Sequence, residues 1–188
     1  MARRKEFSKK DILGAAFEIA CRDGLEGTSM RKIATLLGSS VAPLYISYTN
    51  REELIKEIVA KAHNEVFKFQ EEKISENSYY QRGESLLLVA KKYPKLFVDV
   101  ISYDSKNEPD QKLISTLLSI MRKDDKLCNF SDNQLLRIHS KIDLFIFGVI
   151  SALYSGLLPS DATDKYLLDL IRTTQDDIVT GEIKRNSL

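Results

Sequence analysis

The chain has 188 residues, 43% hydrophobic and 29% charged, with a net charge of +1. That length suits one or two globular domains with a sizeable core, the composition is ordinary for a globular protein, and the net charge excludes a polycation. The charge is uneven: residues 1–62 hold 11 Lys/Arg against 8 Asp/Glu, and residues 63–188 hold 17 against 19. Positive charge is therefore weighted to the N-terminal end, as phosphate binding requires, although an ordinary solvated tail (Arg3, Arg4, Lys5, Lys9, Lys10) explains it equally well. Cys21 and Cys128 stand far apart, without metal-ligand spacing, and read as small core residues in a reducing compartment. The first residues show no signal-peptide pattern, and the longest uncharged run, Leu144 to Ser160, is too short to span a bilayer. A soluble cytoplasmic protein is expected.

Ser8 to Arg22 reads as an amphipathic helix: Ser8 caps it, and Ile12, Ala16, Ile19 and Ala20 recur at helical spacing before Asp23-Gly24 ends it. Thr28 is expected to cap a second helix with Ile33, Leu36 and Leu37 on its apolar face, closed by Gly38. Ser39-Ser40 supplies a fresh cap for a third helix from Val41 to Tyr48. Helix, tight glycine turn, helix is the geometry that lays a helix in the DNA major groove, and it is also a common structural corner in all-α proteins. Near the start of its second helix the unit exposes Val41, Ala42, Pro43 and Tyr45, small or flat groups able to approach base edges. Arg31, Lys32 and Arg51 flank it, and the helix starts near Thr28, Ser40 and Asn50 offer free N–H groups to phosphate oxygens.

Asn50 with Glu53 forms a capping box for a fourth helix, which carries Leu54, Ile55, Ile58, Val59, Ala62, Val66 and Phe69 and extends to about Ile74. After a polar loop over 75–78, helices are expected over Tyr79–Tyr93, Lys95–Tyr103 (entered through Pro94) and Asp110–Lys123. A polar gap over 123–126 then leads to a long helix from about Asn133 to Leu157, broken by Pro159-Ser160, and a last helix from about Asp161 to Val179. No window alternates as a strand would, so the fold expected is all-α with about nine helices: an N-terminal helix-turn-helix domain over 1–50 and a larger helical domain over 51–188. The long helix is apolar nearly all round from Leu144 to Leu158, which predicts burial on several sides. Its small residues Gly148, Ala152, Ser155 and Gly156 suit either a crowded domain centre or a two-fold interface, and the interface is the reading favoured for a helix-turn-helix protein.

The stretch Thr28 to Leu54 resembles the DNA-binding signature of the tetracycline-repressor-type (TetR) family of bacterial regulators. The resemblance rests on Thr28, Ile33-Ala34, Leu37-Gly38, Ser40, Leu44-Tyr45, Tyr48 (where phenylalanine is usual) and Asn50-Arg51-Glu52-Glu53-Leu54, and extends over Ser8 to Ile58. It implies a homodimer whose recognition helices enter successive major grooves of a palindromic operator in double-stranded DNA. It also implies a C-terminal domain that binds a small-molecule effector, as yet unidentified, and dimerises through its last two long helices. Carried over by position, Thr28, Tyr45 and Arg51 would contact phosphates, Arg31 would read guanine, and Val41, Ala42 and Pro43 would face the bases. Ser47 stands where a larger His or Tyr often reaches phosphate, Ser39 replaces a usual aliphatic residue, and Pro43 removes a possible hydroxyl contact. Base readout would then lean on Arg31 and on shape.

No catalytic constellation is present: His63 and His139 lie in no motif, and His139 with Asp143 reads as a polar pair on a partly buried helix rather than a metal edge. Neither cofactor nor metal is expected. Aromatic residues are plentiful beyond residue 63 (Phe67, Tyr79, Phe97, Phe145 and Phe147 among them); most read as core, and a largely apolar or aromatic effector suits the rest. The expected function is a ligand-responsive transcriptional repressor, with an all-α ligand-binding or interaction module that does not read DNA as the alternative.

Overall fold

The computed structural model describes residues 7–72, 79, 82–159 and 161–186, with side chains omitted at 69–72. The described residues form nine α-helices and no strand: α1 (Lys9–Asp23), α2 (Met30–Leu37), α3 (Leu44–Ser47), α4 (Arg51–Glu72), α5 (Arg82–Lys92), α6 (Pro94–Asp104), α7 (Gln111–Met121), α8 (Asp132–Ser155) and α9 (Asp164–Asn186). Among them no helix is long and apolar enough to cross a membrane. Arg3, Arg4 and Lys5 of the basic tail, the loop expected over 75–78, and Tyr80 and Ser160 fall outside the described residues.

The chain packs as two compact units, one of Met1–Glu65 with Ala90–Glu108 and one of Val66–Val89 with Pro109–Leu188. In the first, α1 is fixed at its start by a capping box: the Ser8 hydroxyl accepts the Asp11 N–H at 3.2 Å, and Asp11 Oδ2 accepts the Ser8 N–H at 2.9 Å. The apolar face of α1 (Ile12, Ala16, Ile19, Ala20) packs with Ile33 and Ala34 of α2, Leu44, Tyr48, the start of α4 and Leu96 and Val100 of α6 into one core. Pro94 opens α6, where its missing N–H leaves no hydrogen bond unmade.

Three expectations for the helix-turn-helix change in detail. The cap of α2 is Ser29, whose hydroxyl accepts the Lys32 N–H at 3.3 Å, because the Thr28 hydroxyl turns inward and donates to the Gly24 carbonyl at 2.9 Å. Gly38 closes α2 at φ 64°, as expected, with the Ser39 N–H reaching back to the Ala34 carbonyl at 2.9 Å. The third helix is shorter than predicted, only Leu44–Ser47, entered at Pro43 without a side-chain cap, so Ser39-Ser40 does not cap it. Pro43 explains this, since its ring disfavours helical geometry at Ala42 and confines residues 41–43 to a turn.

In the second unit, Ser131 starts α8 with its N–H donated to Gln134 Oε1 at 2.8 Å, and Gly156 stops it at φ 71°. Ile138, Ile142 and Ile146 of α8 and Leu167, Ile171 and Val179 of α9 are fully buried. Burial of α8 on several sides is not observed: Leu144 is 72% exposed and Tyr154 48% exposed, so an apolar face stays open. The last helix runs on to Asn186, beyond the expected end at Val179, because the buried Glu182 extends its inward face by one more turn. The polar gap expected over 123–126 is part of a longer stretch, 122–130, that winds through successive turns and buries Leu127 and Asp124. Cys128 is exposed rather than core, while Cys21 is half-buried and burial pushes its thiol up to about 11.

Candidate nucleic-acid interface

The helix-turn-helix presents one face built by helix register. Leu44 and Tyr48 are fully buried, one helical turn apart, so the residues between them point away from the core. Tyr45 is 54% exposed and Ile46 84% exposed, the most exposed large apolar side chain described. Sequence reading passed over Ile46, although the spacing of Leu44 and Tyr48 carried the signal. Around it, Ser40 and Ala42 are exposed, and Val41, Pro43 and Ser47 are partly exposed. Tyr48 itself is held inward: its hydroxyl donates to Glu57 Oε2 at 2.7 Å, Lys9 Nζ pairs with Glu57 at 2.5 Å, and burial followed by the Glu57 hydrogen bond pushes the phenol up. That bond is what the tyrosine hydroxyl adds at this buried position.

The cations divide into engaged and open. Lys32 Nζ is paired with Asp23 at 2.9 Å, and Arg22 with the same carboxylate, which they hold well below the usual carboxylate range. Arg31 is exposed on α2 and forms no ion pair among the described residues. Arg51 is exposed at the head of α4, yet its guanidinium points back into its own unit: Nε donates to the Thr28 carbonyl at 2.9 Å and Nη2 to the Leu25 carbonyl at 2.6 Å. Nη1 is left outside both bonds. Thr28 is buried, so its hydroxyl does not face solvent, and the first turn of α2 presents Ser29 in its place. The expected cap at Asn50 is present, its Oδ1 accepting the Glu53 N–H at 2.9 Å, while the Glu53 side chain reaches the Thr49 N–H rather than that of Asn50.

The small residues of α8 also sit apart from the core. Gly148, Ser155 and Gly156 are exposed and Ala152 is partly so. Nothing lies within 4 Å of where a Cβ would stand at Gly148 or at Gly181 of α9. Elsewhere in the second unit His139 Nε2 lies 3.4 Å from Asp143, whose carboxylate takes both Nε and Nη2 of the buried Arg82 at 3.0 and 2.8 Å. Asp143 therefore serves an ion pair, and no group of three metal-ligating side chains occurs among the described residues. His63 Nε2 pairs with Asp104 at 3.0 Å, joining α4 to α6.

Comparison with known proteins places this geometry. Residues 12–58 match the family model for bacterial regulatory proteins of the tetR family. The fold is similar to that of a point variant of TetR from Acinetobacter baumannii AYE, solved in complex with minocycline (TM-score 0.63, 14% identity, covering 93% of this chain and 96% of that one). It is also similar to a transcriptional regulator from Rhodococcus sp. Rha1 (TM-score 0.65, 13% identity, 93% and 97% covered). A third likeness is to a transcriptional regulator of the TerR/AcrR family from Aquifex aeolicus VF5 (TM-score 0.54, 21% identity, 90% and 98% covered). No curated protein matches the chain.

Proposed function

We propose, from the premise that residues 12–58 are a tetR-family DNA-binding domain, that the chain is a ligand-responsive dimeric transcriptional regulator. In this reading it acts as a repressor and leaves a palindromic operator when a small-molecule effector binds. The observation that carries the proposal is the open face of α2 and α3, where Arg31, without an ion pair among the described residues, stands with outward-facing Tyr45 and Ile46. An exposed guanidinium suits guanine or phosphate, and exposed apolar groups suit thymine methyls and sugars.

The roles divide accordingly. Arg31 reads guanine; Val41, Ala42 and Pro43 face the bases from the turn that enters α3; Tyr45 and Ser47 meet the backbone. Around Ser40 and the first turn of α2 at Ser29, backbone N–H groups meet phosphate oxygens. Arg51 offers Nη1 to a phosphate while its other nitrogens hold the loop before α2. Two copies pair through α8 and α9, supported by the open apolar face around Leu144, Gly148 and Ala152 and by the room beside Gly148 and Gly181. Ser155 and Gly156 extend that face to the end of α8. Residues from 51 onward form the effector-binding and dimerisation part, and α4 is the lever, starting beside the reading helices and continuing into the second unit. Half-sites about 34 Å apart tolerate little change in head spacing, so an effector that favours another spacing weakens operator binding, and operator must weaken effector binding by the same factor.

A mobility-shift assay with duplexes selected by the chain from a randomised pool tests this reading. Salt-sensitive, sequence-selective binding supports it. Binding without selectivity, or none, leaves instead an all-α ligand-binding or interaction module.

A further inference from the structure

Six residues, Gly24 to Ser29, join α1 to α2. Two main-chain bonds, Gly24 N–H to the Ala20 carbonyl at 2.9 Å and Thr28 N–H to the Leu25 carbonyl at 3.2 Å, leave the other groups of Gly24 to Thr28 to side chains. Leu25 is gripped by side chains through both of its main-chain groups. Its N–H donates to Asp99 Oδ2 of α6 at 2.6 Å, and its carbonyl accepts Arg51 Nη2 of α4 at 2.6 Å. Arg51 Nε takes the Thr28 carbonyl at 2.9 Å, and the Thr28 hydroxyl closes the loop on the Gly24 carbonyl at 2.9 Å. Ser29 follows as the cap of α2, with Arg31 two residues on.

Gly24 admits the carboxylate. Its φ of 82° is one that side chains rarely adopt, and a Cβ there would stand 2.5 Å from Asp99 Oδ2. Leu96 and Val100 of α6 share an apolar core with α1, and the ring of Tyr93, the residue before α6, lies edge-on to Phe17 of α1. Apolar contacts are non-directional and leave a helix free to slide or roll by fractions of an ångström. A short charge-assisted hydrogen bond to one peptide N–H fixes both distance and direction.

We propose that Asp99 is a positioning residue for DNA reading: through the Leu25 peptide it ties the placement of α6 to that of α2, with Arg51 as the opposing grip from α4. Displacement of α6 then reaches α2 by this bond directly, without first moving α4. The inference rests on the DNA-reading function proposed above.

The test compares Asp99→Ala and Asp99→Asn in the full chain. Both remove the same negative charge, so any general gain in attraction to phosphates is common to them; only Asn keeps an oxygen that can accept the Leu25 N–H. Affinities are measured for a duplex selected by the wild-type chain and for a scrambled one, with hydrogen exchange of the Leu25 amide followed in the free protein. The expected result is that Asp99→Ala lowers affinity for the selected duplex about ten- to a hundredfold. Its affinity for the scrambled duplex stays level and its Leu25 amide exchanges faster, while Asp99→Asn retains the selectivity and the protection. Equal selectivity in the two variants overturns the inference, as does a parallel loss on both duplexes. Should Asp99→Ala fail to fold, Asp99→Glu carries the test: it keeps the charge and displaces the carboxylate, so selectivity falls, and unchanged selectivity overturns the inference. A wild-type chain that selects no duplex refutes DNA reading itself, and the role of Asp99 with it.

Discussion

Gly148→Ala separates a free helix surface from an interface. Within one chain a Cβ at Gly148 meets nothing within 4 Å, and the same holds for Gly14 of α1. Judged from one chain, either substitution should stabilise the protein by about 1 kcal/mol, the cost of glycine relative to alanine inside a helix. For a chain of this length that is a rise in Tm of roughly 2–4 °C. A partner helix lying against Gly148 reverses the sign at that position alone. An added methyl in a close-packed contact costs roughly 1–3 kcal/mol, and a two-fold interface meets it twice. Dissociation of the dimer should then be favoured by about 2 kcal/mol or more, about thirtyfold or more in Kd. Sedimentation equilibrium of the wild type, Gly14→Ala and Gly148→Ala, with melts at two concentrations, reads both quantities. Gly14→Ala is expected to melt higher and dimerise normally, and Gly148→Ala to dissociate and melt with a concentration dependence. A Gly148→Ala protein that behaves as Gly14→Ala refutes the interface.

Arg31→Ala should relax preference at a single base pair, costing about 1–3 kcal/mol there in a binding-site selection; uniform loss on every sequence would make Arg31 a phosphate contact. Gln175 is fully buried on α9 with neither Oε1 nor Nε2 hydrogen-bonded among the described residues. Gln175→Leu should therefore stabilise the protein by about 1–3 kcal/mol in thermal denaturation, and a lower Tm would contradict that reading. Glu182 is buried on α9 against Lys141, Arg137 (2.8 Å) and Arg185 (2.5 Å), and the Lys141 and Arg137 bonds hold its carboxyl below the usual range. A carboxyl so depressed contributes stability that is fully present above its ordinary value and is lost as pH falls through the folded-state value. Glu182→Gln should thus lower Tm at neutral pH, with the difference closing in acid; a difference independent of pH would reject the ion-pair account.

Local signals were legible where one residue governs one geometry. Ser8 with Asp11, Gly38 and Pro94 each set a helix boundary that the structure keeps, whereas α8, expected to run to Leu157, stops at Gly156, which the sequence reading placed only among the small residues. Choices between neighbours were less so. Thr28 and Ser29 can both cap α2, and the Gly24 carbonyl decides by taking the Thr28 hydroxyl. Pro43 was compatible with the first turn of a longer helix, and its effect on the preceding residue shortened α3 instead. Long-range partners were not legible at all. Nothing in the sequence brings Asp99 to a peptide 74 positions away, or Arg51 to carbonyls 23 and 26 positions back. Arg51 looked like one more surface cation, and its bonds to the Leu25–Thr28 loop emerge only from packing.

The most direct test of the account is selection of duplexes from a randomised pool by the full wild-type chain, followed by titration of salt on the winner and on a scrambled control. The account predicts a palindrome with half-sites about 34 Å, or about ten base pairs, apart. It predicts that affinity for both duplexes falls steeply with salt while the winner keeps its advantage. A pool that yields no common sequence, or a winner bound no better than its scrambled control, contradicts it.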